Sequence, residues 1–461
     1  MTAHKLDFRK IWGIPLGVFL LVFHPSRTVC DDVRWTTNIN VGAKYQEEGK
    51  YLEAERAYVA ALNEAKHFLD EDSRLSMTLN NLGFLYYKQG RYGEAEPLYL
   101  RALNLRERFL GPEHLEVAST LNNLAELYLT QAHYTKAEPL YLRALAIREK
   151  VYGPTHPEVA TVLNNLAALY YEQGNYGQSE LLLKRALSIK DNLQGREQPD
   201  VARNLKNLAE VYRAQGRYSE ARQLYRRALT TLEKMLGPDH SDTAAVLNNL
   251  ASLHLNQGRY SEAERLYRRA LAINEKVFGP EHLTVATGLS NLATLHYKLG
   301  HNAEAKRLNQ QALAIRETLL GPDHPDVALS LNNLAALYHK EKRYSEAEAL
   351  FRRAQAIWEK VLGTQHPQVA SGLDNLAEVC YQQGRYQEAK SLLKRSLAIR
   401  ERAVGSDHPS MAETLKGYAQ VLRKMKQKAE AISLEARAKD ILMHCGPHCQ
   451  TQHTVDVHAL R

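Results

Sequence analysis

The sequence predicts an all-α protein, an α-solenoid of about ten helix-turn-helix repeats, on three observations. A five-residue phrase, Leu-Asn-Asn-Leu-Gly at Leu79, returns in related form at Leu121, Leu163, Leu205, Leu247, Leu289, Leu331, Leu373 and Leu415, each 42 residues after the last. Apolar residues within each copy follow the 3.6-residue period of a helix. Between copies lies a helix-stopping turn built on Gly and Pro. Self-similarity at such a period marks stacked supersecondary units that bury their apolar faces against their neighbours. The repeat therefore overrides the length prior of about three globular domains for 461 residues.

One unit shows how the pattern works. Leu163, Leu166, Ala167 and Tyr170 stand at i, i+3, i+4 and i+7 and form one apolar helix face. Gly174 follows where a helix wants a C′ residue with positive φ, and the same glycine returns as Gly49, Gly90, Gly216, Gly258, Gly300 and Gly384. A second amphipathic helix runs from about Tyr176 to Asp191, with Ser179, Leu183 and Ala186 inward. A Gly-Pro-acid-His-Pro turn, intact at Gly321-Pro322-Asp323-His324-Pro325, connects the units. Its Gly ends one helix, and a Pro at the first helical position suits the start of the next. Small residues (Ala95, Ala137, Ala221, Ala263, Ala347, Ala389) face large ones (Tyr99, Tyr141, Tyr225, Tyr267, Phe351), so neighbouring helices can interlock. A divergent first copy lies around Asn40 to Tyr51.

The remaining features bound the function. A net charge of +8 would suit nucleic acid, but Lys and Arg alternate with Glu in every repeat, as a solvated mixed-charge face does, and no nucleic-acid motif accompanies them. Residues 1–30 read as a signal peptide or N-terminal anchor: Lys5, Arg9 and Lys10 precede the apolar run Ile11 to Phe23, which is short for a membrane span. Export to the periplasm or the exterior is expected, with membrane anchoring through that segment as the alternative. Residues 31–37 read as a linker, 38–440 as the repeat array and 441–461 as a disordered tail containing Cys and His. Cys380 occupies a position that is aromatic or His in most other repeats and is expected in the core.

The motifs resemble the tetratricopeptide repeat: Leu-x-x-Leu-Ala-x-x-Tyr, then Gly-x-Tyr-x-x-Ala, then Tyr-x-x-Ala. The 42-residue period and the phrases Leu-Asn-Asn-Leu-Ala, Arg-Ala-Leu-Ala-Ile and Gly-Pro-Asp-His-Pro resemble the kinesin light chain class of that repeat. The resemblance spans roughly Asn38 to Asp440. It implies a right-handed α-solenoid whose first helices line a concave groove. In similar proteins Asn on this helix holds the main chain of a bound peptide. Kinesin-light-chain grooves prefer acidic peptides with an aromatic anchor, which this chain fits only in part.

An asparagine ladder is the candidate site. Asn81, Asn123, Asn165, Asn207, Asn249, Asn291, Asn333 and Asn375 occupy one position of the phrase, with Asn40 ahead of them, and the series fails only at Gly417. Asn165 points about 160° away from the apolar face of its helix, and Asn costs up to ~0.7 kcal/mol against Ala in a helix. The repetition needs a cause, and two are open. Each amide both donates and accepts and so suits an extended peptide backbone; alternatively the amides bond the next repeat and keep superhelical register. The preceding position is Asn80, Asn122, Asn164, Asn248 or Asn332, and Lys206, Ser290, Asp374 or Lys416 elsewhere. Tyr171 and Arg213 lie further along the same helices, among aromatics and charges of both signs.

Other chemistry is thin. The recurring His114, His156, His240, His282, His324, His366 and His408, interrupted by Gln198, are too far apart in a solenoid to share a metal and read as turn residues. His444, Cys445, His448 and Cys449 are weak metal candidates in a tail with no evident fold. No catalytic motif or cofactor signature stands out. The expected function is that of a non-enzymatic scaffold binding an extended peptide or partner protein in the concave groove. The alternatives are an assembly factor that uses its convex face or edges, and metal handling by the tail.

Overall fold

The computed structural model describes residues 28–66, 73–191, 198–406 and 408–445. Its helices alternate as the two members of each repeat. The first members are α1 (Thr28–Glu47), α3 (Ser73–Lys88), α5 (Leu115–Thr130), α7 (Pro157–Glu172), α9 (Gln198–Ala214), α11 (Ser241–Asn256), α13 (Leu283–Leu299), α15 (Pro325–Lys340), α17 (Pro367–Gln382) and α19 (Ser410–Lys424). The second members are α2 (Tyr51–Ala65), α4 (Tyr92–Leu110), α6 (Tyr134–Tyr152), α8 (Tyr176–Asp191), α10 (Tyr218–Met235), α12 (Tyr260–Phe278), α14 (Asn302–Leu320), α16 (Tyr344–Leu362), α18 (Tyr386–Val404) and α20 (Lys428–Cys445). No strand occurs among the described residues.

Two expected boundaries move. Residues 31–37 are not a linker but early turns of α1, where Trp35 is buried and its indole N–H donates to Thr78 Oγ1 at 2.9 Å. The array also runs further at its far end, because α20 extends through Cys445. His448, Cys449 and the apolar run Ile11 to Phe23 lie outside the described residues, as do the side chains of His444 and Cys445.

The first helices stop and start for chemical reasons. Gly174 and its relatives take φ near +70 to +80°, the left-handed C′ conformation that glycine adopts without penalty. At the start of the first helices the turn histidine caps the chain: Nδ1 of His114, His156, His240, His282, His324 and His366, each an N-cap, and of His408, one residue before the N-cap Pro409, accepts the N–H two residues on, at 3.0 to 3.2 Å. Pro157, Pro325 and Pro367 occupy the first helical position, as expected.

The core follows the small-against-large pattern. Ala95, Ala137, Ala221 and Ala263 are fully buried, and Tyr99, Tyr141 and Tyr225 are at most 1% exposed. Cys380 is likewise fully buried, and burial pushes its thiol up to about 11, so it packs as an apolar residue. The mixed charges are more ordered than a merely solvated face. Arg185 reaches Glu149, Arg269 reaches Glu233, Arg353 reaches Glu317 and Arg395 reaches Glu359, at 2.5 to 2.8 Å between consecutive second helices. Each exposed pair is worth ~0–1 kcal/mol, so they align the stack more than they hold it. A second brace joins Tyr212, whose hydroxyl donates to Glu180, with Arg217, which bonds Glu180 and lies 3.7 Å from the Tyr212 ring centroid.

Candidate functional site

Consecutive first helices touch one another, α5 with α7, α7 with α9 and α9 with α11, more closely than second helices do. The first helices are therefore the inner ring, and the ladder residues lie on it. Asn81, Asn123, Asn165, Asn207, Asn291, Asn333 and Asn375 are half-buried there, and Asn249 is buried.

The amides bond one another at one end and at the other, but not in the middle. Asn123 Nδ2 donates to Asn80 Oδ1 at 3.2 Å, Asn165 to Asn122 at 2.8 Å and Asn375 to Asn332 at 2.7 Å. Each rung thus joins a ladder residue to the preceding-position residue of the repeat before. Between α7 and α9 the rung is open. Asn164 turns its Nδ2 to Asn204 Oδ1 at 2.6 Å and Ala160 O at 3.0 Å, leaving Asn164 Oδ1 and Asn207 Oδ1 buried without a partner. Asn248 Oδ1 is also without one. In α9 the rung acceptor is replaced outright, because Lys206 can only donate.

Lys206 is 7% exposed and makes no hydrogen bond or ion pair among the described residues, and burial holds its pKa below the usual lysine value. Two turns on, Arg213 donates to Glu210 at 2.8 Å through Nη2, and the Tyr225 hydroxyl donates to the other oxygen of the same carboxylate. Burial opposes the charge on Arg213, yet the Glu210 carboxylate outweighs it and raises its pKa. Arg213 is consequently tied within its own helix. Tyr171 packs on Tyr176 with ring centroids 5.4 Å apart and lines a small pocket with Asn164, Ala167, Ala168, Leu183, Asn207 and Val211. Sequence reasoning selected the ladder but missed Lys206 and Asn204 as site residues. The available signal was a Lys in place of Asn at one rung.

Among the described residues no group of three or more His, Cys, Asp or Glu is placed to hold a metal. No described helix is long and apolar enough to cross a membrane.

An array of helix pairs with a polar inner face is the architecture of a protein-interaction scaffold. The chain belongs to the tetratricopeptide repeat family, whose model matches in overlapping stretches from residues 74–150 through 369–443. Among solved structures it is similar to a Rap protein complexed with Competence and Sporulation Factor, at 13% identity over 90% of this chain and 99% of that one, with a TM-score of 0.51. It is also similar to BtubC (BKLC) from P. vanneervenii, at 24% identity over 51% of this chain and 91% of that one (TM-score 0.40). A Podosopora anserina putative kinesin light chain with nearly identical TPR-like repeats shares 28% identity over 44% of this chain and 96% of that one (TM-score 0.37). A search of curated proteins finds no match.

Proposed function

We propose that this chain binds an extended peptide, or an extended segment of a partner protein, along its inner ring at α7, α9 and α11. A single feature supports this: the rungs are closed toward both ends of the array and open at its middle. Buried polar atoms are nearly always satisfied, and each orphan costs about 1–3 kcal/mol. Three amide oxygens, on Asn164, Asn207 and Asn248, and one amide nitrogen, Asn204 Nδ2, left without partners on adjoining helices therefore call for a ligand bearing both donors and acceptors. A peptide main chain has both.

The test begins with peptides selected from a random displayed library against the purified protein, whose affinities are then measured for Asn164→Ala/Asn207→Ala. Loss of two hydrogen bonds of about 0.5–1.5 kcal/mol each should weaken binding roughly 5- to 150-fold. Unchanged affinity of every selected peptide would place binding on the convex face or an edge. We also propose export directed by residues 1–30, motivated by Lys5, Arg9 and Lys10 ahead of Ile11 to Phe23. A fusion of that segment to a reporter active only outside the cytoplasm should be active, and an inactive one would refute export.

A further inference from the structure

The solenoid meets itself. Gly90, Ala132 and Gly174 are the left-handed C′ residues ending α3, α5 and α7. His324, His366 and His408, each 234 residues further on (324 − 90, 366 − 132, 408 − 174), cap α15, α17 and α19. A Cβ at Gly90 would sit 3.0 Å from His324 Cδ2 and from Pro325 Cδ, and one at Gly174 would sit 2.8 Å from His408 Cδ2 and Nε2. At the middle rung His366 Nε2 lies 3.1 Å from the carbonyl oxygen of Thr130, the last residue of α5. The Nδ1 of that ring already accepts from Gln368, so its proton is on Nε2 and is donated to Thr130. One ring thus caps its own helix and satisfies an orphan carbonyl at the end of another.

The second helices meet as well, α4 against α16, and one apolar cluster runs through both turns. It joins Leu124, Leu127, Tyr141 and Leu166 to Leu331 and Trp358. The contact is local: Gly258, Gly300 and Gly384 hold the same left-handed backbone with no atom within 4 Å of a would-be Cβ.

We propose that repeats two to four and eight to ten form a clasp that shuts the inner channel along its side, and that an occupant enters only when the clasp parts. The proposal rests on the reading of the inner ring as the binding surface. The occupant is the single extended chain of that reading, whose main chain bears the donors and acceptors that the unpaired amides of the inner ring require.

The test wedges the clasp. Gly90→Asn/Gly174→Asn puts side chains into the histidines, whereas Gly258→Asn/Gly384→Asn imposes the same backbone conformation on open space, and Asn tolerates left-handed φ best among side-chain-bearing residues. Solution X-ray scattering of the unaltered full chain should match the closed superhelix. The first pair should enlarge the radius of gyration and the second pair should not. An accessibility reporter, Ala168→Cys with the four native cysteines replaced, should react several-fold faster with a bulky maleimide in the first pair only. Scattering from the unaltered chain that already fits an open superhelix, or equal changes in both pairs, would overturn the clasp. Peptide affinity of the Asn164 and Asn207 variant is measured separately, so the clasp and the groove can fail independently.

Discussion

Asn165 donates from Nδ2 to the Oδ1 of Asn122 at 2.8 Å, one repeat earlier, while Asn207 at the next rung finds Asn164 turned away and bonded to Asn204. The same pair of residue types is thus a strut in one interface and an open site in the next. The difference traces to Asn204, a fully buried amide at a position occupied by Thr120 in repeat three and Val162 in repeat four. Its oxygen draws Asn164 inward.

The strut and the open rung are separable by double-mutant cycles. Asn122 and Asn165, both changed to Ala singly and together, should couple by about 0.5–1.5 kcal/mol in thermal unfolding, the worth of one hydrogen bond. Asn164 and Asn207 should couple by less than about 0.5 kcal/mol. Single-variant losses alone would mislead, because Ala recovers up to ~0.7 kcal/mol of helix propensity. Equal coupling at both rungs would refute the distinction.

Much of this was legible in the residues. The period, the helix faces and the glycine stops follow from local chemistry that one repeat contains entire, so α7 and α8 fall where Leu163, Gly174 and Tyr176 put them. The ladder position was legible too. Which residue each amide meets was not, because the partner lies one period plus one residue away, as Asn165 to Asn122, and that extra residue depends on superhelical twist. The sequence marks His324 only as a turn residue, since an imidazole acceptor at an N-cap is rarer than Ser, Thr, Asp or Asn. Contact between His366 and Thr130 leaves no periodic trace, as it arises only once the whole superhelix has closed. The early turns of α1 read as a linker because its copy of the phrase has diverged, with Asn38 and Val41 where later repeats carry Leu.

Two helix ends carry a removable strain. Lys342 and Lys426 hold φ of 63 and 65° at C′ positions where seven sister repeats use Gly. A left-handed non-glycine residue costs roughly 1–2 kcal/mol. Lys342→Gly and Lys426→Gly should each raise the Tm, with a gain of about 0.5–1 kcal/mol after the entropy of glycine in the unfolded chain is subtracted. Thermal melts of the full chain check this, and a lowered Tm would mean the lysine side chains contribute more than the strain removes.

The seventh repeat should be the soft point of the stack. Asn309, 4% exposed, stands where other repeats bury Tyr, and its Oδ1 has no partner; neither has Asn302 Oδ1. His296 occupies a Tyr position and contacts His301 at 3.3 Å, whereas Tyr128 in the third repeat donates to Glu96 at 2.6 Å. Each unsatisfied buried group costs about 1–3 kcal/mol. Amide hydrogen exchange should be faster in α13 and α14 than in α5 and α6, and equal protection would count against this account.

Acid should loosen the protein before its carboxylates titrate. Burial against the neighbouring turn pushes His408 down to about 4 from an ordinary value of 6.5, and Arg400 nearby acts in the same direction. Burial also lowers His254, His282, His296 and His339. Above pH 6.5 these rings are neutral whether the chain is folded or not, and none of the stability is lost. As the pH falls below 6.5 the unfolded chain takes up protons that the folded chain refuses, so stability declines until the folded value near 4 is reached. One such histidine contributes a slope of up to about 1.4 kcal/mol per pH unit in that window. The Tm should therefore drop between pH 6.5 and 4. His408→Gln, which borrows the residue that stands at the equivalent Gln198, should flatten the decline without abolishing it. A Tm that is level from pH 6.5 to 4.5, or an acid limb unchanged in His408→Gln, would show that this ring takes its proton as readily in the folded chain as in the unfolded one.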